Sequence, residues 1–397
     1  MSVRIDDIEV VNLRFEYPAG QGFSYAGGTA TGRLTTLVRV HAEDGRIGVG
    51  SAYTHPEMAR AVIEDQLAPF LRGIQITDVT ATWRELMRLV RWYGRAGAAV
   101  TALGAVDTAL WDLAAQEAGQ PLWRVLGGTD GSVPAYASAL LWHDDLDRLR
   151  KEAAQYLDEG FTRVKMRLGR CRDYDQAAFA AVHETVNGRG QVIVDGSLRF
   201  GDEDAAWLGD ILARRGAVWF EEPFEPDNLD AYVRLRGRTA VPLAAGENET
   251  SPQGLAALLR RRAVDVLQPD ASRAGGVSTV RYAAGLAAAG NVKIATHTWS
   301  DAVAILANAH VVASIPNGLT VEVDRTGNPF VDELLDEPLR ISRGRLQLPT
   351  APGLGARLDE RLIARYRLPP GPVPDGNYSD MLFGPRLAAT APYSADG

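Results

Sequence analysis

The chain is poor in several things, and each shortage narrows its function. It has one cysteine, Cys171, in 397 residues, so no internal disulfide can form. Basic charge is in short supply: 42 lysines and arginines stand against 50 aspartates and glutamates, a formal net charge of -8. That argues against nucleic acid as a general partner, because phosphate binding needs a net basic face. No stretch approaches 18 uninterrupted apolar residues, and no apolar run follows a basic start. The expectation is a cytoplasmic protein with no membrane partner. A Gly-rich phosphate turn is also missing, since "LGR" at 168–170 lacks the required spacing.

What is present falls into two patterns. Up to about residue 128, "IDDIEVVNLRF" and "TTLVRVHAEDGRIGVGSAY" read as strands with a "DG" turn. Three helical patterns follow, and the last closes on Gly127 and Gly128, a helix stop. Strands followed by helices predict an α+β domain over residues 1–128. From about residue 133 short β-rich runs alternate with helical stretches. The runs are "VPAYASAL", "TRVKMRLG", "QVIVDGS", "AVWFEEP", "VPLAAGE", "VDVLQPD", "VKIATHT" and "LTVEVD". Eight βα units in about 200 residues suit a (β/α)₈ barrel, with a doubly wound open sheet as the rival. The predicted class is α/β: a (β/α)₈-type barrel over residues 129–330 with an N-terminal capping domain. Residues 331–397 are expected to return to that cap and complete it, and the small, polar end "LAATAPYSADG" to be disordered.

Barrel enzymes carry their chemistry at the C-terminal ends of the strands. Run two ends with Lys165 and Arg167, run three with Asp195 and Ser197, and run four with Glu221 and Glu222. Runs five to eight end with Glu247, Asp270, His297 and Glu322. Asp195, Glu221 and Glu247 are spaced 26 and 26 apart, and the next steps are 23, 27 and 25. One titratable group arrives per βα unit, a spacing that scattered surface charges would not keep. Each alone could be a rim ion pair or a hydrogen-bonded core residue. Together they would repel or stay unpaired unless a site used them. Glu221 and Glu222 point opposite ways from one strand, and the step selects Glu221 as the inward one.

The residue types suggest roles. Three carboxylates on neighbouring strands, Asp195, Glu221 and Glu247, suit Mg²⁺, with Mn²⁺ as a substitute. Zinc would prefer His or Cys. An Asp270–His297 hydrogen bond between adjacent strands would orient the ring and raise its basicity. Arg167 beside Lys165, with a metal nearby, is expected to lower the Lys165 pKa toward that of a base. Arg167 itself suits a carboxylate or a developing oxyanion.

At these residues the sequence resembles the enolase superfamily, and within it the mandelate racemase-like group. The resemblance rests on the "KMR" strand, "IVDGS", "FEEP", "AGE", "DVLQPD", "ATHT" and "VEVD", in order over nearly the whole chain. It implies removal of the proton α to a substrate carboxylate and stabilisation of an enediolate, chemistry done elsewhere in this superfamily with a Lys or His base and Mg²⁺. It also implies Asp195, Glu221 and Glu247 as metal ligands, Lys165 and His297 as the acid/base pair, and Asp270 as support for His297. Glu322 would hydrogen-bond the substrate carboxylate or the enediolate. Two departures stand out: Arg167 replaces the lysine of mandelate racemase, and Ser197 stands where asparagine is common.

Members with the Asp–His pair look like acid-sugar dehydratases, so dehydration of an aldonate or aldarate is the leading expectation. The rivals are a racemase, epimerase or cycloisomerase using the same enediolate, and a carboxylate-binding protein on an inactive barrel. Specificity is expected from the cap. Its loop "PAGQGFSYAGG" offers Phe23 and Tyr25 as a mobile lid, and "SAYTHPEM" offers Tyr53 and His55; Ser197 completes the expected contacts. By analogy with the family, the chain is expected to form a homo-oligomer.

Overall fold

Eight parallel strands close on themselves in a computed structural model that describes residues 2–26, 28–373, 380–382 and 393. The cap contributes β1 (Val3–Glu16), β2 (Phe23–Tyr25), β3 (Gly28–Ala42), β4 (Ile47–Ala52) and β5 (Gln75–Ile76). The barrel is β6 (Ser132–Ser138), β7 (Arg163–Arg167), β8 (Gln191–Asp195), β9 (Phe220–Glu221), β10 (Leu243–Ala245), β11 (Val266–Leu267), β12 (Lys293–Thr296) and β13 (Gly318–Asp324). Each strand pairs in parallel with the next, and β13 pairs back with β6 from Val321↔Ala135 to Asp324↔Ser138. That closure excludes the open-sheet rival. All eight β-rich runs of the sequence are barrel strands.

Side chains fill the inside of the ring. Tyr136, Ile193, Trp219, Ala244, Val266 and Ala295 form one packed layer, so the barrel is a filled core with its reactive end above. Helices of 8 to 15 residues fill the first seven connections. Directly after β13 the eighth connection holds a helix of only four residues, Pro329–Asp332, so the barrel is a modified one. The chain then forms β14 (Arg340–Ser342) and β15 (Arg345–Gln347), and β15 pairs antiparallel with the N-terminal end of β6. The helix Glu360–Tyr366 places Leu362 and Ile363 in one cluster with Leu13 and Leu37 of the cap. Finally β16 (Asp380–Leu382) pairs with β3. The segment after β13 thus serves the barrel first and the cap second. Most of the terminal stretch expected to be disordered lies outside the described residues; Tyr393 is described.

In the cap, β1 and β3 pair antiparallel and the 20-residue helix Ala98–Glu117 covers them. By length and composition this helix could cross a membrane, which the sequence reading overlooked; in the fold 89% of its apolar window is buried. It lies so close to β4 that a Cβ at Gly50 would strike the Ala105 carbonyl. The glycine-rich loop expected to be a mobile lid contains a paired strand instead, with Phe23 opposite Ala30 and Tyr25 opposite Gly28.

Buried aspartates tie cap to barrel. Asp107 accepts hydrogen bonds from the Ser278 amide (2.9 Å) and hydroxyl (2.7 Å), at the start of the barrel helix Gly276–Ala289. Asp112 accepts from the amides of Val49 (2.9 Å) and Leu354 (2.8 Å), and Asp301 from the hydroxyls of Ser51 (2.5 Å) and Thr35. Burial pushes the Asp107 carboxyl up to about 7, against the opposing effect of its Ser278 hydrogen bonds. The unfolded chain ionises Asp107 near pH 4 and the folded one near pH 7, so folding stability falls as pH rises through that window. The full effect is on the order of 4 kcal/mol by linkage. Asp107→Asn is therefore expected to gain stability relative to the parent between pH 5 and pH 8, measured by denaturant unfolding at each pH. A pH-independent difference would exclude Asp107 as a buried titrating group.

Candidate active site

The strand ends deliver their charged groups to one mouth. In register, Arg167 lies opposite Asp195 and Asp195 opposite Glu221. The register partner of Glu221 on β10 is Ala244, so the even 26-residue step does not hold the third acid at the same depth. Glu247 comes three residues later, beyond Gly246, whose φ of 133° turns the chain back toward the mouth. One oxygen from each of Asp195, Glu221 and Glu247 then lies within 4.8 Å of the others.

Each acid is held. Asp195 takes the Arg167 Nη1 at 2.6 Å and the Ser197 amide at 2.7 Å. Glu221 has Oε1 on the Lys165 ammonium, while Oε2 accepts from Trp219 Nε1 at 2.9 Å and Gln268 Nε2 at 2.7 Å. Glu247 keeps a buried Oε2 with no hydrogen-bond partner among the described residues. Glu222 turns away from the triad, at a φ of 35°, and accepts from the Gly246 amide (3.2 Å) and Asn248 Nδ2 (2.5 Å). Burial, helped by the neighbouring charge of Glu247, raises Glu222 to about 8. One glutamate of the pair faces the acidic cluster and the other buttresses the next loop.

Lys165 differs from its expectation. Its Nζ contacts Glu221, lies 2.8 Å from Glu322 and 3.7 Å from Asp195, and is fully buried. Burial pushes its pKa down, but the carboxylates around it outweigh that and hold it well above the ordinary lysine value. The like charge of Arg167 does not prevail, because Arg167 is itself engaged by Asp195. Glu322 feels the converse. Burial would raise it, yet Lys165 and His297 bring it down to about 2. An ionised carboxylate only accepts, so Glu322 as found takes the Thr298 amide (2.9 Å) and orients Lys165.

His297 donates from Nδ1 to Asp270 Oδ2 at 2.9 Å, as expected, which leaves Nε2 toward the cluster, 3.7 Å from Glu247. Burial lowers its pKa, and Glu247, Glu322 and the Asp270 hydrogen bond more than offset this, raising it to about 9. Asp270 is fixed on its other oxygen by Ser272 (amide 2.8 Å, hydroxyl 2.7 Å) and by Asn308 Nδ2 at 2.9 Å.

A cavity of about 870 Å³ opens above these groups, lined by Tyr25, Tyr53, Arg167, Ser197, His297 and Trp299 among others. The cap supplies part of the wall. Tyr53 lies 5.7 Å from the His297 ring, and Tyr25 lies 5.8 Å from the Arg167 guanidinium. Phe23 sits behind the wall, edge-on to Trp299, and His55 precedes the helix Pro56–Val62 and does not line the cavity. Sequence reading missed Trp219, Gln268, Trp299, Asn308, Arg273 and Tyr393. The first three had a signal: each stands two residues from a selected residue (Glu221, Asp270 and His297), and strand alternation puts such pairs on one face. Asn308 comes from a helix and Tyr393, stacked on Phe200 at the cavity edge, from the far end of the chain, so no local pattern marks them.

Residues 8–127 match the model of the mandelate racemase / muconate lactonizing enzyme N-terminal domain, and residues 148–362 that of the enolase C-terminal domain-like family. The chain belongs to the enolase superfamily. It is 33% identical over 349 residues to a D-galactarolactone cycloisomerase of Agrobacterium fabrum, covering 85% of this chain and 92% of that one. It is 29% identical to an arabinonate dehydratase of Saccharolobus solfataricus, over 83% of this chain and 89% of the relative. The fold superposes on L-talarate/galactarate dehydratase from Salmonella typhimurium, liganded with Mg and L-lyxarohydroxamate, with a TM-score of 0.85 at 26% identity, covering 93% and 94% of the two chains. These superfamily relatives are dehydratases and cycloisomerases, and the chain is an enzyme.

Gln268 holds the Glu221 oxygen that Lys165 leaves open. Gln268→Leu is expected to weaken Mn²⁺ binding about 10–100-fold, followed by paramagnetic resonance titration. Unchanged affinity would remove Glu221 from any cation site.

Proposed function

We propose that this enzyme removes the proton α to the carboxylate of an acid sugar and expels the β-hydroxyl, giving a 2-keto-3-deoxy acid through an enediolate. The observation that carries the reading is the meeting of a carboxylate triad, a buried lysine and an Asp–His pair beneath one cavity. The triad fits Mg²⁺, or Mn²⁺ in its place: its donors are all oxygens, and Glu247 Oε2 lacks a hydrogen-bond partner among the described residues. Bound by Asp195, Glu221 and Glu247, Mg²⁺ would hold the substrate carboxylate and stabilise the charge that develops as the α-proton leaves.

The protein groups divide the proton work. Protonated His297 gives its Nε2 proton to the leaving hydroxyl, while Asp270 keeps the ring oriented through Nδ1. Lys165 takes the α-proton. Two of the three carboxylates around it, Asp195 and Glu221, would be engaged by a divalent cation, which would lower its pKa in the loaded enzyme. Arg167, anchored on Asp195, faces the cavity and holds the oxyanion side of the substrate. Ser197 fixes Asp195, and Tyr25 and Tyr53 shape the pocket.

A second reading is supported by the 33% identity to a galactarolactone cycloisomerase: the same α-proton removal with a ring oxygen as the leaving group. Racemisation or epimerisation would share the first half of the reaction. A panel of aldonates, aldarates and their lactones, incubated with Mg²⁺, separates these. Keto acid from an open-chain acid is the expected result, and keto acid from lactones alone would select the cycloisomerase. Solvent deuterium at the α-carbon without keto acid would select the racemase. His297→Asn is expected to lower kcat about 10²–10⁴-fold, and chelation of the metal to abolish turnover reversibly. No change in any member of the panel would sink the reading.

A further inference from the structure

Two cavity-lining cations are left unused by the chemistry above, Arg199, which donates from Nε to the Gly169 carbonyl at 3.1 Å, and Arg273. Arg273 follows β11, three residues beyond Asp270, and its backbone is fixed on both sides. Its amide donates to the Asp270 carbonyl (3.0 Å), and its own carbonyl accepts from Thr101 of the cap (2.8 Å). The guanidinium stacks on Tyr53 with 4.8 Å between its carbon and the ring centroid, and Tyr53 in turn packs on His297. One face of the guanidinium is thereby covered and its planar edge is left to make hydrogen bonds.

That edge is underused. Nη2 donates to Asn248 Oδ1 at 3.2 Å, and Nε is buried with no partner. No described carboxylate lies within ion-pair distance of Arg273. Arg167, the other guanidinium beside the reacting groups, is pinned on Asp195 at 2.6 Å. A buried donor without an acceptor is costly, so Arg273 is set up for an acceptor that arrives with a ligand. Its fork matches a carboxylate. Elsewhere the cavity wall presents acids such as Glu225 and Asp204, which would repel a second anionic group.

We propose that Arg273 holds the distal carboxylate of the substrate, so that the preferred substrate is a dicarboxylic acid sugar, an aldarate or its monolactone, and not an aldonate. This rests on the acid-sugar reading and narrows it. Asn248 and Tyr53 are positioning residues for the guanidinium, one through its edge and one through its face.

Pairs of ligands that differ only at the far end test it: galactarate against galactonate, and glucarate against gluconate. With Mg²⁺ present, calorimetric binding to the full chain is expected to favour the diacid of at least one pair ten-fold or more. Arg273→Met is expected to erase that preference, weakening the diacid and leaving the monoacid within about three-fold. Arg273→Lys, which keeps charge without the fork, is expected to fall between. In turnover the Arg273→Met loss is expected in KM for the diacid, with kcat largely kept. Equal binding of both members of each pair, or no binding of either diacid, overturns the proposal. So does an equal loss for diacid and monoacid in Arg273→Met, which would mark a structural role through Tyr53. Diacid preference without any keto acid would leave Arg273 in place and remove the dehydratase reading. Keto acid from aldonates without diacid preference would do the reverse.

Discussion

Four carboxylates crowded into one barrel mouth govern the rest of this structure. Asp195, Glu221, Glu247 and Glu322 surround one lysine and one arginine, while Asp270 and His297 balance each other. Two negative charges are left over among largely buried side chains. Such an arrangement is costly unless something compensates it. The fold spreads the cost over fixed donors: the Trp219 and Gln268 side chains on Glu221, the Ser197 amide on Asp195 and the Thr298 amide on Glu322. A doubly charged cation would balance the remainder, and the same donors would orient the acids toward it.

The cap is stitched to the barrel in a similar way. Its connections are themselves buried polar groups, Asp107, Asp112 and Asp301, each accepting at least two hydrogen bonds across the interface or within the cap. Arg33 reaches from β3 to Asp324 at the end of the last barrel strand and lies 4.7 Å from the Trp299 ring. Trp299 then lies 5.0 Å from the Arg167 guanidinium. A rigid stack therefore runs from the cap sheet to the reacting groups. Pairing Phe23–Tyr25 to β3 as a strand, where glycines had suggested a loose lid, fits that picture.

How much of this could be read beforehand follows from the range of each signal. The strand runs and the residues at their ends were legible because a βα period repeats locally and because Asp195, Glu221, His297 and Glu322 sit at strand termini. The third acid shows the limit. Its 26-residue step matched, but the depth it implied was wrong, since a glycine with positive φ and not the strand delivers Glu247. The missing eighth helix was also invisible, because Pro329 permits a helix start and nothing local says that it will last only one turn. Asn308 and Arg273 were missed because their roles depend on contacts across elements, which no single stretch encodes.

The sign of the Lys165 shift is instructive. A neighbouring arginine should lower a lysine pKa when both are free, and the expected fall also counted on a nearby metal. Among the protein's own groups, Arg167 is engaged by Asp195 at 2.6 Å, and Lys165 faces three acids within 3.7 Å. Adjacent positions in sequence do not set the sign by themselves, because a Coulomb sum weights the nearest and least screened partners. The consequence is a lysine held charged by the carboxylates around it. On the proposed reading it becomes a base only when a cation engages Asp195 and Glu221, so that proton abstraction would be tied to the loading of the site.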